Sequence, residues 1–532
     1  MSESPNPVVA ESGADPAGDQ AVLRSLRTGF FGATQPSYQL TRFVFFRALG
    51  LVYTVAFAVL VNQMIPLFGS GGLMPADRYL ERVRENSTFW QLPTLFWWGA
   101  SDATLRIAAS LGLGLSLCLL LGAEHAAILA VLWALYLSFV HIGQDFYGYG
   151  WEILLIETGF LACFLAPVRS IAPLTAARPP AAPVIWLLRW LVFRLMLGAG
   201  LIKIRGDPCW RDLTCLAYHY ETQPNPHPLS WLLHQAPMWF HKVGVAFNHL
   251  VELAAPFFVF GPRRARHVAG LLVVAFQSML IASGNLAFLN WLTIAVAIAC
   301  FDDSLLRRVL PARLVQRAAR LEERREPLGR AQVAVVGLLC AFVIVASYAP
   351  ISNMLSRRQR MNTSFDPLHL VNSYGAFGSV GKKRDEVILQ GTSDAVIGPE
   401  TQWKEYEFKC KPGDVMRRPC LITPYHLRLD WQMWFAALSD YENEPWIIHL
   451  IDKLLHNDAA VLGLLENQPF PNEPPRFIRA ERYSYRFTKF GEGNGAWWVR
   501  KRTGAYLPPL SRNDPSVREF LQLQGWLPER GM

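Results

Sequence analysis

The sequence predicts a polytopic α-helical membrane protein of about nine transmembrane helices with a C-terminal soluble α+β domain. Three observations carry that prediction. Apolar runs close to the ~20 residues that a bilayer-crossing helix needs recur between residues 43 and 348. Hydrophobic residues make up 52% of the 532, and charged residues only 17%, against ~25% charged in an ordinary soluble domain. The mean hydropathy is only +0.18, too low for a chain embedded from end to end, so a soluble part accompanies the spans. A wholly disordered chain, a collagen and a small disulfide scaffold are excluded by the same composition.

Residues 1–38 read as a disordered cytosolic tail. The first 23 are rich in Pro, Gly, Ala and Ser, are acidic, and lack the apolar core of a signal peptide. The transmembrane bundle is expected over residues 39–350. Its clearest spans are 43–65, 103–122, 126–141, 151–168, 184–204, 267–283 and 331–348. Two weaker ones complete the count: 245–261, which carries His249 and Glu252, and the short 286–301.

Arginines then orient the bundle. Arg24, Arg27 and Arg42 flank the first span. The loops 169–183, 262–267 and 302–330 carry more, including Arg307, Arg308, Arg313, Arg317 and Arg320 with no acid among them. The positive-inside rule reads this as N-terminus in and C-terminus out. Arg357, Arg358 and Arg360 run against the pattern, but the three loops together outweigh them. The net charge of +9 therefore largely reflects topology. It points to the lipid bilayer as a partner and leaves no unassigned basic surface for nucleic acid.

Charged groups inside spans cost about 2.5–3.5 kcal/mol each on insertion scales, so each needs a reason. Glu152 and Glu157 fall in the fourth span; Arg189, Arg194 and Lys203 in the fifth; His249 and Glu252 on one face of the sixth. Pairing across helices is the plain reading. Glu157 with Arg194 is the first pair to expect, because both sit near mid-span. The sharper reading is a polar cavity for a lipid or quinone-like ligand, built on Glu157, Arg194, His249 and Glu252. Gln277, Asn285 and Asn290 add neutral groups suited to interhelical hydrogen bonds.

The loop over residues 205–244 falls outside and is dense in Asp207, Trp210, Arg211, His219, Tyr220 and stiffening prolines. A rigid docking surface or a cap over the bundle is its expected role. The cysteines sort by side. Cys118, Cys163, Cys300 and Cys340 lie in spans and read as small buried side chains. Cys209, Cys215, Cys410 and Cys420 all lie outside, where an even number suggests structural disulfides. Redox cycling is poorly supported without a CxxC, and a zinc site using Cys215 and His219 matches no standard spacing. No metal and no cofactor is expected.

Residues 351–532 are expected to form the extracytoplasmic α+β domain. Alternation predicts strands at 403–410 and 483–487, a turn at 411–414, and amphipathic helices at 431–438 and 446–465. Trp431 and Trp434 are candidate contact residues on the first helix. The domain holds no GxSxG, P-loop, HExxH or GxGxxG, and nothing in it marks an enzyme.

Several unusual stretches together resemble the lipase maturation factor family. They include Tyr149-Gly150-Trp151-Glu152, Glu157-Thr158-Gly159-Phe160-Leu161 and Gly198-Ala199-Gly200-Leu201-Ile202-Lys203. They continue through residues 205–215 and 218–224, Phe247-Asn248-His249, and Gly284-Asn285 with Asn290-Trp291. In the C-terminal part they include Trp403-Lys404-Glu405-Tyr406 and Arg428-Leu429-Asp430-Trp431-Gln432-Met433-Trp434. The resemblance implies a membrane-anchored factor that helps secreted clients such as dimeric lipases to fold, with the C-terminal domain contacting them. In eukaryotic relatives it implies the endoplasmic-reticulum membrane. This chain ends Glu529-Arg530-Gly531-Met532, not in a retrieval tetrapeptide, and its acidic, alanine-rich tail suits a bacterial homologue in the inner membrane. The membrane part also looks distantly similar to the vitamin K-dependent carboxylase-like superfamily, which transfers no catalytic residues. Homo-oligomerisation is left open by the sequence.

Overall fold

The computed structural model describes residues 36–176, 178–492 and 494–527. The expected disordered tail lies, up to residue 35, outside the described residues. Each of the nine apolar segments is helical. In order they are α1 (Gln39–Phe68), α2 (Asp102–Leu121), α3 (Ala126–Ile142), α4 (Gly150–Leu165) and α5 (Ala182–Arg205). Then come α6 (Met238–His249), α7 (Arg263–Ser283), α8 (Leu289–Ala297) and α9 (Arg330–Ala346). Among the described residues, five stretches are long and apolar enough to cross a membrane: α1, α2, α5, α7 and Arg330–Leu355, which extends α9. The other four expected spans are shorter, or broken by a change of helix type.

Local chemistry sets where these helices begin and end. The first N–H groups of a helix have no partner inside it. At α1 the Asp303 carboxylate supplies one, accepting from the backbone N–H of Gln39 and Leu40 at 3.0 Å and of Thr41 at 3.2 Å. Ser101 caps α2 by accepting from Thr104 N–H, and Pro183 sits in the first turn of α5, where its missing N–H costs nothing. Helix α6 runs on through a π-turn, Leu250–Ala254, into Ala255–Phe258.

Helix α5 is the central one. Its apolar window is 67% buried, against 28% for α2 and for Arg330–Leu355. Ile107, Leu111, Leu338 and Ile344 on those outer helices are exposed, as an apolar face turned toward lipid would be. The protein is an integral membrane protein with a helical bundle.

In the C-terminal part, strands β1 (Arg384–Thr392), β2 (Lys404–Glu405), β3 (Phe477–Phe487) and β4 (Trp498–Ser511) form one sheet, ordered β2-β1-β3-β4. All its pairings are antiparallel; Ile388 on β1 faces Glu481 on β3. Helices α10 (Arg428–Leu438) and α11 (Trp446–Leu455) accompany the sheet.

Two expectations change here. The strand expected at 403–410 shrinks to β2 and a lone bridge from Phe408 to Leu465. Its end is pulled away because the Asp430 carboxylate accepts the N–H of Cys410 at 2.6 Å and of Lys411 at 3.0 Å. The helix expected at 446–465 stops after Leu455; Asn457 takes φ 51°, and only the short Ala459–Leu462 follows. Residues 357–380 do not join the sheet. They run back along the bundle, where Asp207 N–H donates to Gly378 O at 2.9 Å. Two glycines permit that approach: a Cβ on Gly198 would lie 2.5 Å from Tyr374 O, and one on Gly206 would lie 2.2 Å from Gly378 O.

Candidate functional site

The buried charges sit where the bundle meets the C-terminal part. Glu157, on α4, is 1% exposed and pairs with the Arg194 guanidinium on α5, as the mid-span positions predicted. The pair is not closed within the membrane. The other Glu157 oxygen accepts from Asn372 N–H and Asn372 Nδ2 at 3.1 Å each, and from the Tyr374 hydroxyl at 2.7 Å. Arg194 in turn donates to Asn372 O at 2.6 Å. Residues 372–374 therefore saturate an ion pair that would otherwise carry free lone pairs in a dry interior.

Glu152, one turn earlier in α4, is fully buried. Its partner is Arg428 of α10, at 2.9 Å, with the Tyr136 hydroxyl donating to its second oxygen. Arg428 also donates to Phe146 O at 2.5 Å and lies 3.3 Å from the centre of the Tyr147 ring. The sheet part has its own buried set, in which Glu386 accepts from Arg384 at 2.6 Å and Lys411 at 3.0 Å. Sequence reasoning named Glu152 and Glu157 but missed Asn372, Tyr374 and Arg428. Their only signal was the carboxylates' need for partners, which does not say where the partners are.

Lys203 and Glu252 form the third membrane pair, with the Lys203 ammonium 5.1 Å from the Trp210 ring centre. His249 points elsewhere: its Nε2 is 2.9 Å from Trp210 O. Asn290 donates to Gln277 Oε1 at 2.6 Å. The four residues of the expected ligand cavity are thus not gathered in one place. Glu157 and Arg194 pair with each other, His249 bonds to backbone, and Glu252 alone lines a cavity.

That cavity, of about 550 Å³, lies between α5, α6, α7, α8 and the 205–244 loop. Its polar lining includes Lys203, His219, Asn248, Glu252, Gln277 and Asn290; most of the rest is apolar. A smaller cavity of about 300 Å³ adjoins it behind Leu195, Ala199, Leu289 and Phe377, and is walled by Tyr149, Trp151, Trp431 and Trp434.

The loop over residues 205–244 folds into the short helices Pro208–Arg211, Leu216–Thr222 and Pro228–His234. Cys209 and Cys215 form a disulfide within it, as do Cys410 and Cys420 in the C-terminal part. A bridged Cys215 is no longer a thiolate for zinc. Among the described residues no three His, Cys, Asp or Glu side chains gather as metal ligands.

Most of the expected client-facing side chains turn inward, which corrects that part of the sequence reading. Trp210, His219, Tyr220 and Trp431 are all buried. Trp210 Nε1 donates to Phe377 O at 2.8 Å, and His219 meets the Phe377 ring edge-on at 4.8 Å. Burial holds the His219 imidazole down at about 4. Trp431 packs on Trp151 at 4.9 Å, and the half-buried Trp434 donates to Thr222 O at 2.9 Å. Asp207 caps the first short helix by accepting from Cys209 N–H at 2.9 Å. Arg211 is exposed. Aromatic density in a loop signals an anchor as readily as a contact surface; here it anchors loop, bundle and sheet part together.

These features define a class: a polytopic membrane protein whose C-terminal part supplies buried counter-charges to its own helices. The lipase maturation factor transmembrane domain model matches residues 40–308, and the lipase maturation factor C-terminal domain model matches residues 370–508. The chain is 48% identical over 520 residues to Lipase maturation factor 1 of Bos taurus, covering 92% of each chain. It is 47% identical over 543 residues to Lipase maturation factor 1 of Homo sapiens, covering 97% of this chain and 93% of that one. Lipase maturation factor 2 of Homo sapiens is 31% identical over 612 residues, covering 92% and 85%. No solved structure matches. The chain belongs to the lipase maturation factor family.

Proposed function

We propose that this protein is a membrane-anchored maturation factor that assists the folding and assembly of secreted proteins, lipases among them. The observation that supports this most is likeness over nearly the whole length, 92–97% of the chain, to proteins named Lipase maturation factor 1. In this reading residues 39–350 are the membrane bundle, the N-terminus is cytosolic, and residues 351–532 stand on the outer side as the client domain. The outer side is the lumen if the protein resides in the endoplasmic reticulum, and the periplasm if it resides in a bacterial inner membrane. Two disulfides on that side agree with an oxidising compartment.

With the tryptophans buried, the client surface falls to exposed groups: Arg211, and the open groove beside β3 and β4 where exposed Lys382, Lys383 and Lys501 stand beside Glu221, Asp385 and Asp440. The test is complementation. Cells lacking their own maturation factor, expressing a secreted dimeric lipase and this full chain, should release active lipase into the medium. Normal expression and membrane insertion of the chain with no rise in secreted lipase activity would refute the proposal. An enzyme or carrier built on Glu157, Arg194, His249 and Glu252 together gains no observation, because the four do not converge on one cavity.

A further inference from the structure

The 550 Å³ cavity has a size typical of small-molecule sites and nothing in the maturation role accounts for it. We propose that it is a binding site for a neutral lipid with one acyl chain and a hydroxyl- and ester-bearing head. The mouth sets the route of entry. Val243, Met279 and Leu229 line the cavity and are 60%, 52% and 44% exposed, so its opening is apolar and lies where α6 and α7 meet the 205–244 loop. Leu195, Met196, Phe247 and Phe276 continue the apolar wall inward.

The inner end sets the head. Its two charged groups, Lys203 and Glu252, neutralise each other, and among the described residues no other cation lines the cavity. His219 remains uncharged at neutral pH because burial lowers its basicity. An anionic head would therefore meet no free positive charge. What the end does offer is unpaired hydrogen-bonding capacity. Glu252 Oε2 and Asn290 Oδ1 are acceptors without a donor, and Asn248 Nδ2 is a donor without an acceptor, on side chains 3%, 2% and 5% exposed. Buried polar atoms in folded proteins are nearly always paired, so three at one cavity end call for a partner. Two lipid hydroxyls, one for each acceptor, donate to Glu252 and Asn290, and an ester carbonyl accepts from Asn248. Glu252 also stands in the π-turn Leu250–Ala254, a distortion frequent at functional sites.

The test uses the full chain reconstituted in phosphatidylcholine vesicles. The probe is a monoacylglycerol carrying a diazirine in its chain and a terminal alkyne. Irradiation should place adducts on peptides from 195–203, 243–252 or 276–293. Unlabelled monoacylglycerol should compete; lysophosphatidic acid and free fatty acid at equal concentration should not. Val243→Trp with Met279→Trp changes only exposed mouth positions, so folding is preserved, and labelling should fall about tenfold, the equivalent of 1.4 kcal/mol. Leu338→Trp, also at an exposed position but outside the cavity lining, should leave labelling unchanged. Adducts spread evenly over exposed helices, insensitivity to the mouth variant, or equal competition by the anionic lipids would each overturn the assignment. The readout is binding, so it stands or falls apart from client secretion.

Discussion

Replacing Arg428 by Met tests whether the C-terminal part is welded to the bundle by charge. The side chain is fully buried and its guanidinium serves Glu152 at 2.9 Å, Phe146 O at 2.5 Å and the Tyr147 ring. Methionine fills much of the same volume, so the loss is chiefly electrostatic. Glu152 would keep only the Tyr136 hydroxyl and become an uncompensated buried carboxylate. Breaking such a pair from one side costs about 3–5 kcal/mol, and the lost bond to Phe146 O adds about 1 kcal/mol. The double variant Glu152→Gln with Arg428→Met removes the stranded charge and should recover most of that loss. The assay is tryptophan fluorescence during heating of the detergent-purified protein, with trypsin cleavage after residue 380 as a second probe. The single variant should unfold several degrees lower and be cut sooner; the double should lie close to the wild type. A double variant no better than the single, or a single variant like the wild type, would refute the claim that this pair holds the two parts together.

Other expectations follow from the same geometry. Gly206→Ala would press a Cβ to 2.2 Å from Gly378 O, a backbone atom, and should free residues 372–380 from the bundle, read as new protease cleavage there. Replacing Cys209 and Cys215 together by Ser should cost about 2 kcal/mol, the closure entropy of a short loop, seen as a lower unfolding midpoint without loss of insertion. His449 is buried, donates from Nδ1 to Leu73 O at 2.7 Å, and is held down at about 4 by burial. The unfolded chain binds that proton at about 6.5, so stability is full above pH 7 and falls as pH drops from 6.5 toward 4, by about 2 kcal/mol at pH 5. His449→Gln should flatten that part of the profile. Charge reversal of exposed Lys382, Lys383 and Lys501 to Glu should lower lipase secretion while leaving thermal unfolding unchanged.

The membrane half was legible because helices written in apolar runs need no long-range information. Every expected span is helical, and Glu157 with Arg194 could be paired from depth alone. Strand β1 could not be read so. Arg384 and Glu386 look like a solvated start, yet both are buried in the set with Lys411, and residues 387–391 are buried on both faces, which erases alternation. Strand β4 is masked by Arg500, Lys501, Arg502 and a Pro-Pro pair, features that suit an edge strand rather than a core one. The site was half legible for a related reason. A buried carboxylate advertises that it has a partner, but Arg428 and Asn372 are brought to Glu152 and Glu157 only by tertiary folding. The inward turn of Trp210 and Trp431 was equally invisible, since an anchoring aromatic and a contact aromatic are spelled the same way.

The return of residues 357–380 to the bundle bears on how the chain is made. Asn372, which closes the shell around Glu157, lies 215 residues downstream of it. While the ribosome is still producing the later helices, α4 and α5 wait in the bilayer with an incompletely solvated ion pair. A chain halted anywhere before residue 372 leaves that defect permanently open, and quality-control machinery that recognises polar groups within lipid has a handle on it. Premature stop codons between the last membrane helix and codon 372 should therefore yield degraded protein and not a stable, truncated membrane part.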